Sequence, residues 1–251
     1  LQLPRRADSA LLRELLSWSD PMAPIHQAAA MGDIETLRRL LAEGVSPDAI
    51  NRNSGIRRTP LHFLCLSVNG AEGDLVSCLK LLRDAGANLE ATDSASTTAL
   101  HHAANAGYAT LVSSLVEAGV NVDARDFTSW TPLHLAARGS YGRPTDCVEV
   151  LLAAGADIEV RSQSGSTPFL IALSVGHRRA WPLFLRAGAE LPLPAQHPPN
   201  PYLRRVRNAG GFQRYAQQHH ARITSILAPT PLLPPELVRK VLEFWLHAGY
   251  Y

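Results

Sequence analysis

Apolar positions along the chain alternate between two helical patterns, separated by polar stretches. In "TALHHAA", residues 98–104, Leu100, Ala103 and Ala104 stand at i, i+3 and i+4, the spacing of one helix face. The face is narrow and made of small side chains, so it predicts a helix that lies close to its neighbours. A more apolar run follows, "ATLVSSLVEAG", residues 109–119. It predicts a second helix, closed by a glycine able to take the left-handed conformation of a C-terminal cap. The next residues, "VNVDARDFTSW", are polar and turn-rich, and predict a finger that projects from the helices. Threonine, usually followed by proline, opens the first helix. The hydroxyl can cap free N–H groups, and proline costs no hydrogen bond in a first turn.

This helix, helix, finger order repeats. Aligned on the opening word, "APIH" stands at 23, "TPLH" at 59, "TALH" at 98, "TPLH" at 131 and "TPFL" at 167, with steps of 36, 39, 33 and 36 residues. The distance from the word to the closing glycine is 21 residues in copies one, three and five, 27 in copy two and 24 in copy four. From that glycine to the next word it is 12 residues in three cases and 15 in the first. All irregularity therefore sits in insertions around "VNGAEGD", "SYGRPT" and "NRNSGIRR". The unit resembles the ankyrin repeat, a β-turn and two antiparallel helices of about 33 residues with a TPLHxA signature. The resemblance covers about residues 23–190 and implies an all-α solenoid of helix-turn-helix units with β-turn fingers.

Within such an array the histidines are architecture. His26, His62, His101 and His134 occupy one position of four copies, and Leu170 holds it in the fifth. In the family this imidazole hydrogen-bonds within and between the turns that link repeats. The resemblance also implies where binding residues lie: finger tips, the residue before the signature threonine, and exposed positions late in the first helix. Here these are Arg57, Arg58, Ser94, Thr97, Asn105, Phe127, Trp130, Arg138, Gln163, Ser166 and Ser174, with Arg125 beside them and Tyr141 in an insertion. Phe127 and Trp130 stand out, because aromatic residues and arginine are enriched in protein interfaces. Trp130 has two readings, contact with a partner or cover for the neighbouring finger. The asparagine common in the family's finger is replaced by Asp48, Glu90, Asp123 and Glu159, so asparagine-directed modification is not expected there.

Composition narrows the function further. Cys65, Cys78 and Cys147 are widely spaced and form no CxxC pair, which argues against a disulfide framework or a zinc site and for a reducing compartment, cytoplasm or nucleus. His219 and His220 are adjacent, without cysteine or acid at ligand spacing. No GxSxG, P-loop or HExxH pattern occurs, so neither an enzyme nor a cofactor is expected. No apolar run reaches the roughly 18 residues of a membrane span.

Charge sets the C-terminal part apart. Residues 197–251 hold seven Arg or Lys against two acids, and residues 1–196 hold 17 against 20. The proline-rich "ELPLPAQHPPNP" stops the repeat, giving a linker at 191–201 and a helical segment at 202–251. Two helices are expected there. One lies in "GGFQRYAQQHHARITSIL", with Phe212, Tyr215, His219, Ile223 and Ile226 on a stripe, and one in "PPELVRKVLEFWLH". They either cap the array or dock another protein; "ALLRELLSWSD", within residues 1–22, looks like a cap at the other end.

The residues "LLPPELVRKVLEFW" are similar to the LPLP-type segment of a SOCS box, found after ankyrin arrays in substrate receptors of cullin–RING ubiquitin ligases. "ARITSILAPT" lacks the cysteine of the Elongin-binding element. The same residues resemble the opening helix of an F-box. Three functions follow: a monomeric, non-catalytic module or adaptor that binds a protein; a ubiquitin-ligase substrate receptor using residues 211–251; or binding of nucleic acid or an acidic partner through Arg204, Arg205, Arg207, Arg214 and Arg222, for which no known motif speaks.

Overall fold

A computed structural model describes residues 23–51, 55–67, 72–139, 144–193 and 200–227. The predicted N-terminal cap within 1–22, Tyr141 and the helix expected at 234–247 lie outside the described residues. Twelve α-helices and no strands occur among the described residues. The helices are α1 (Pro24–Met31), α2 (Ile34–Ala42), α3 (Pro60–Cys65), α4 (Glu72–Asp84), α5 (Ala99–Ala106), α6 (Ala109–Glu117), α7 (Pro132–Arg138), α8 (Pro144–Ala153), α9 (Pro168–Ser174), α10 (Trp181–Arg186), α11 (Pro201–Asn208) and α12 (Phe212–Leu227). Each of the five first helices begins one residue after the opening position of its word. The chain divides into two compact units between Ala99 and Leu100.

In the first unit α1 packs on α2 and α3, and α4 packs on α2 and α3. Its core is Ile25, Ala28, Ala29, Leu37, Leu61, Leu64, Leu75 and Leu82, all essentially inaccessible. In the second unit α7 packs on α8 and α9, and α6 on α8. Leu111, Val112, Leu115, Leu133, Val148, Leu151, Phe169 and Phe184 form the core there. The closing glycines Gly44, Gly86, Gly119, Gly155 and Gly188 have φ of 86°, 84°, 84°, 82° and 97°, a region that a β-carbon disfavours. Cys65, Cys78 and Cys147 are buried free thiols. Burial pushes the Cys65 thiol up, and burial with Asp74 and Asp33 nearby pushes Cys78 up to about 11. Both therefore stay protonated near neutral pH and pack as small apolar groups.

The end of the second unit differs from the sequence expectation. Within the helical segment expected at 202–251, helices are expected in 210–227 and 234–247; a further one, α11, lies in "PNPYLRRVRN". Asn200 caps it by accepting from the N–H groups of Tyr202 and Leu203 at 2.9 and 3.3 Å, and Pro201 fills the first turn. The proline that signals a break on one side starts a helix on the other. Tyr202, Leu203 and Val206 are buried; α11 packs on α12, and α12 on α10. An aromatic chain runs through this contact, Trp181 to Tyr202 at 5.9 Å and Tyr202 to Tyr215 at 5.7 Å between ring centroids.

Candidate functional site

Three of the described fingers are each closed by one acceptor side chain. In the second unit, Asp126 Oδ1 accepts from the N–H of Thr128 (2.8 Å), the hydroxyl of Thr128 (2.7 Å) and the N–H of Trp130 (2.8 Å). The Asp126 N–H donates to the Trp130 carbonyl at 2.9 Å, so the five residues close into a latched turn. Asp93 does the same for Ala95 and Thr97 at 2.9 and 3.1 Å in the first unit, and the Ser162 hydroxyl accepts from Ser166 at 3.2 Å in the last finger. These latches stand five residues before the signature threonine, one position of the repeat filled by differing residue types, Asp93, Asp126 and Ser162. Two residues before that threonine the backbone is left-handed in every described finger: Arg57 φ 51°, Ser96 57°, Ser129 61° and Gly165 76°. For the three non-glycine residues this costs about 1 kcal/mol or more each, and the Asp93 and Asp126 latches hold Ser96 and Ser129 in it.

The histidines tie each finger to the preceding helix. The Thr131 N–H donates to His134 Nδ1 at 3.1 Å. Nδ1 is thereby an acceptor, so Nε2 carries the proton and donates to the Ser166 carbonyl at 3.1 Å. His62 repeats this with Thr59 (3.2 Å) and Thr97 (3.1 Å). His101 Nε2 reaches the Trp130 carbonyl at 3.0 Å. In the first copy Ala23 replaces the threonine. His26 Nε2 reaches the Ala49 carbonyl at 2.7 Å, and its buried Nδ1 has no partner among the described residues. Where Leu170 replaces the histidine, the Thr167 hydroxyl caps the Leu170 N–H at 3.3 Å.

Burial lowers the pKa of His26 and of His134, against smaller opposing contributions from carbonyls they bond, so both rings stay neutral in the fold. The unfolded chain takes up protons at about pH 6.5 and the folded chain only at lower pH. Stability is therefore full above about pH 6.5 and falls as pH drops toward the lower folded value. We expect the urea midpoint to decrease from about pH 7.5 to about pH 5.5, with a shallower decrease in His134→Leu. An equal slope in both proteins would show that His134 plays no part.

The predicted binding residues separate into those turned inward to the fold and those left outward. Arg58 pairs with the buried carboxylate of Asp93 at 3.5 Å. Ser94 donates its N–H to the Ile56 carbonyl and its hydroxyl to the Gly55 carbonyl, at 2.9 and 2.8 Å. Thr97 and Ser166 present carbonyls to the histidines, and the Ser174 hydroxyl bonds back to Ile171 within α9 at 2.8 Å. Arg57 lines an open cleft of about 240 Å³ with Asp48, Ile50 and Asn88.

In the second unit five predicted residues come together. Phe127, at the finger tip, is 64% exposed. Its carbonyl accepts from the side-chain amide of Gln163, and the Gln163 N–H donates to the Thr128 carbonyl at 3.0 Å. Trp130 is half-buried. Its ring lies 5.8 Å from that of His134 on one side, and the Arg138 guanidinium lies 5.3 Å over it. Arg138 also donates to Asn105 Oδ1 at 2.8 Å. Arg125 is exposed. Trp130 thus packs within the fold and also forms a floor for Arg138.

The acidic finger positions have a structural use. Asp48 accepts from the Asn88 N–H at 3.0 Å, Asp123 from the Asp157 N–H at 2.9 Å and Glu159 from the Glu190 N–H at 2.9 Å. The position needs only an acceptor, so a carboxylate serves where the family has asparagine. Of the C-terminal arginines, Arg207 donates to the Pro192 carbonyl at 2.6 Å, and Arg204, Arg205, Arg214 and Arg222 are exposed.

Latched fingers, histidine ties and paired helices define a helical repeat protein. Comparison with known families agrees: a model described as ankyrin repeats (3 copies) matches residues 64–162, and one described as ankyrin repeats (many copies) matches residues 25–69. Together they span more than half of the chain, which belongs to the ankyrin-repeat family. Among curated proteins it is similar to a putative E3 ubiquitin-protein ligase, XBAT31, of Arabidopsis thaliana, 36% identical over 98 residues, covering 39% of this chain and 20% of that protein. It is also similar to inversin of Danio rerio, 36% identical over 83 residues, covering 33% of this chain and 7% of that protein. The chain thus matches a fifth or less of the length of each. Among the described residues, no helix is long and apolar enough to cross a membrane and no cluster of side chains is arranged to hold a metal ion.

Proposed function

We propose that the chain is a non-catalytic module that binds a protein partner through the surface made by Phe127, Trp130, Arg138, Asn105 and Gln163. The observation that carries this is Phe127, a large apolar side chain 64% exposed at the tip of a turn whose backbone is fixed on both sides. A rigid exposed aromatic loses little conformational freedom on binding, and such residues supply a large share of interface energy. Phe127→Ala is expected to weaken partner binding by about 2 kcal/mol while leaving the melting temperature unchanged. Affinity capture with the full chain, followed by titration of the captured protein against the parent and the variant, measures it. Equal affinity would remove Phe127 from the surface.

A second reading, a substrate-recognition subunit of a ubiquitin ligase, is favoured by the similarity to the putative ligase of Arabidopsis thaliana. The segment it needs, "LLPPELVRKVLEFW", lies outside the described residues. Copurification of Elongin or a cullin, abolished by deleting residues 228–251, supports this reading; their absence from the full-length complex counts against it.

A further inference from the structure

The finger acids of the second unit and the two arginines Arg138 and Arg161 are engaged differently. Asp123 and Glu159 each accept from a backbone N–H of the following repeat. Asp157 Oδ1 accepts from the Glu159 N–H at 2.9 Å, and Asp126 Oδ1 takes the three bonds of its latch. The two arginines meet neutral groups. Arg161 donates to the Gly165 carbonyl at 3.2 Å. Arg138 has Asn105 Oδ1 and the Trp130 ring, and no carboxylate within ion-pair distance among the described residues.

Arg138 is also held in place. Its floor, Trp130, is fixed through its backbone by the Asp126 latch and by His101, and through its ring by His134. One terminal nitrogen of the guanidinium is used by Asn105 and one face by the indole. The remaining N–H groups, in a planar fork, match the two oxygens of a carboxylate. Neutral partners orient this cation without neutralising it, and its ordering cost is met before a ligand arrives.

We propose that Arg138 is the anion-recognition residue of this surface, and that the partner presents an acidic segment whose Asp or Glu carboxylate pairs with Arg138 while an adjacent apolar side chain packs on Phe127. This rests on the finger surface proposed above and gives its partner a chemistry.

The test is selection from a phage-displayed library of short random peptides against the full-length chain, with parallel selections against F127A, R138Q and R138E. All variants are first shown to melt as the parent does. We expect peptides whose capture is lost in F127A to share an Asp or Glu at fixed spacing from an apolar residue. Their affinity should fall by about tenfold or more in R138Q and weaken with added salt. R138E should select Lys or Arg in place of the acid at the same spacing. F127A-sensitive peptides without acid enrichment, or with unchanged affinity for R138Q, overturn the role of Arg138 and leave the finger surface standing. If no enriched peptide is sensitive to F127A, or none is enriched at all, the surface itself fails and the role of Arg138 with it.

Discussion

Replacing Trp181 by alanine is expected to destabilise the second unit by about 3–5 kcal/mol, the range for removing a buried aromatic side chain. The indole is 5% exposed, donates its N–H to the Ala172 carbonyl at 3.1 Å and lies against the ring of Tyr202. The substitution removes that hydrogen bond and opens a cavity where the fifth repeat meets the helices that follow it. For a folded chain of this size the loss corresponds to a fall of about 10 °C in melting temperature. Hydrogen exchange adds a local readout, because α11 and α12 bury Tyr202, Leu203, Val206 and Tyr215 in the same contact. Their amides should lose protection before those of α7 and α8. A variant that melts with the parent and keeps protection in α11 would show that Trp181 does not secure these helices.

The expected outcome bears on the C-terminal segment. A cap and a docking module make opposite demands on an apolar stripe: a cap buries it within the chain, and a docking element leaves it for a partner. Tyr202 and Tyr215 are each 7% exposed, so these two rings are buried within the fold.

What the sequence made legible follows from which forces repeat. The five helix starts were readable because each unit needs a similar opening word, apolar face and closing glycine, and five copies carry the same signal. α11 was hidden because the prolines of "PPNPYLRR" carry two meanings: they break the repeat, and Asn200–Pro201 is also a helix start. The finger latch was missed for another reason. Asp93, Asp126 and Ser162 differ in residue type, and only their shared position and common acceptor chemistry unite them. Candidate binding residues were harder still. Ser94 and Phe127 hold the same tip position, yet Ser94 bonds to the neighbouring finger and Phe127 projects. Arg58 and Arg138 are both arginines of the array, yet a buried carboxylate engages the first and an amide and an indole orient the second. Such distinctions depend on side-chain partners distant in sequence, which local spacing does not encode.

His134 stands between the architecture of the repeat and the proposed surface, so its replacement by alanine should be read in both. The ring accepts from the Thr131 N–H at the start of α7, donates to the Ser166 carbonyl of the next finger and fills a buried position. Losing the cap interaction, the bridge and the packing together should cost about 2–4 kcal/mol. His134→Leu should cost less, because the fifth copy shows the alternative: the Thr167 hydroxyl takes over the cap where Leu170 stands. The difference between the two variants in urea denaturation then separates packing and cap from the bridge to Ser166. Both variants remove the ring 5.8 Å from Trp130, so the floor under Arg138 loses its support. An acid-bearing peptide that binds the parent should therefore bind His134→Leu more weakly, at a temperature where that variant is fully folded. Unchanged affinity would show that Trp130 is fixed by its backbone latch alone, and unchanged stability in His134→Ala would remove the imidazole from the architecture of the repeat.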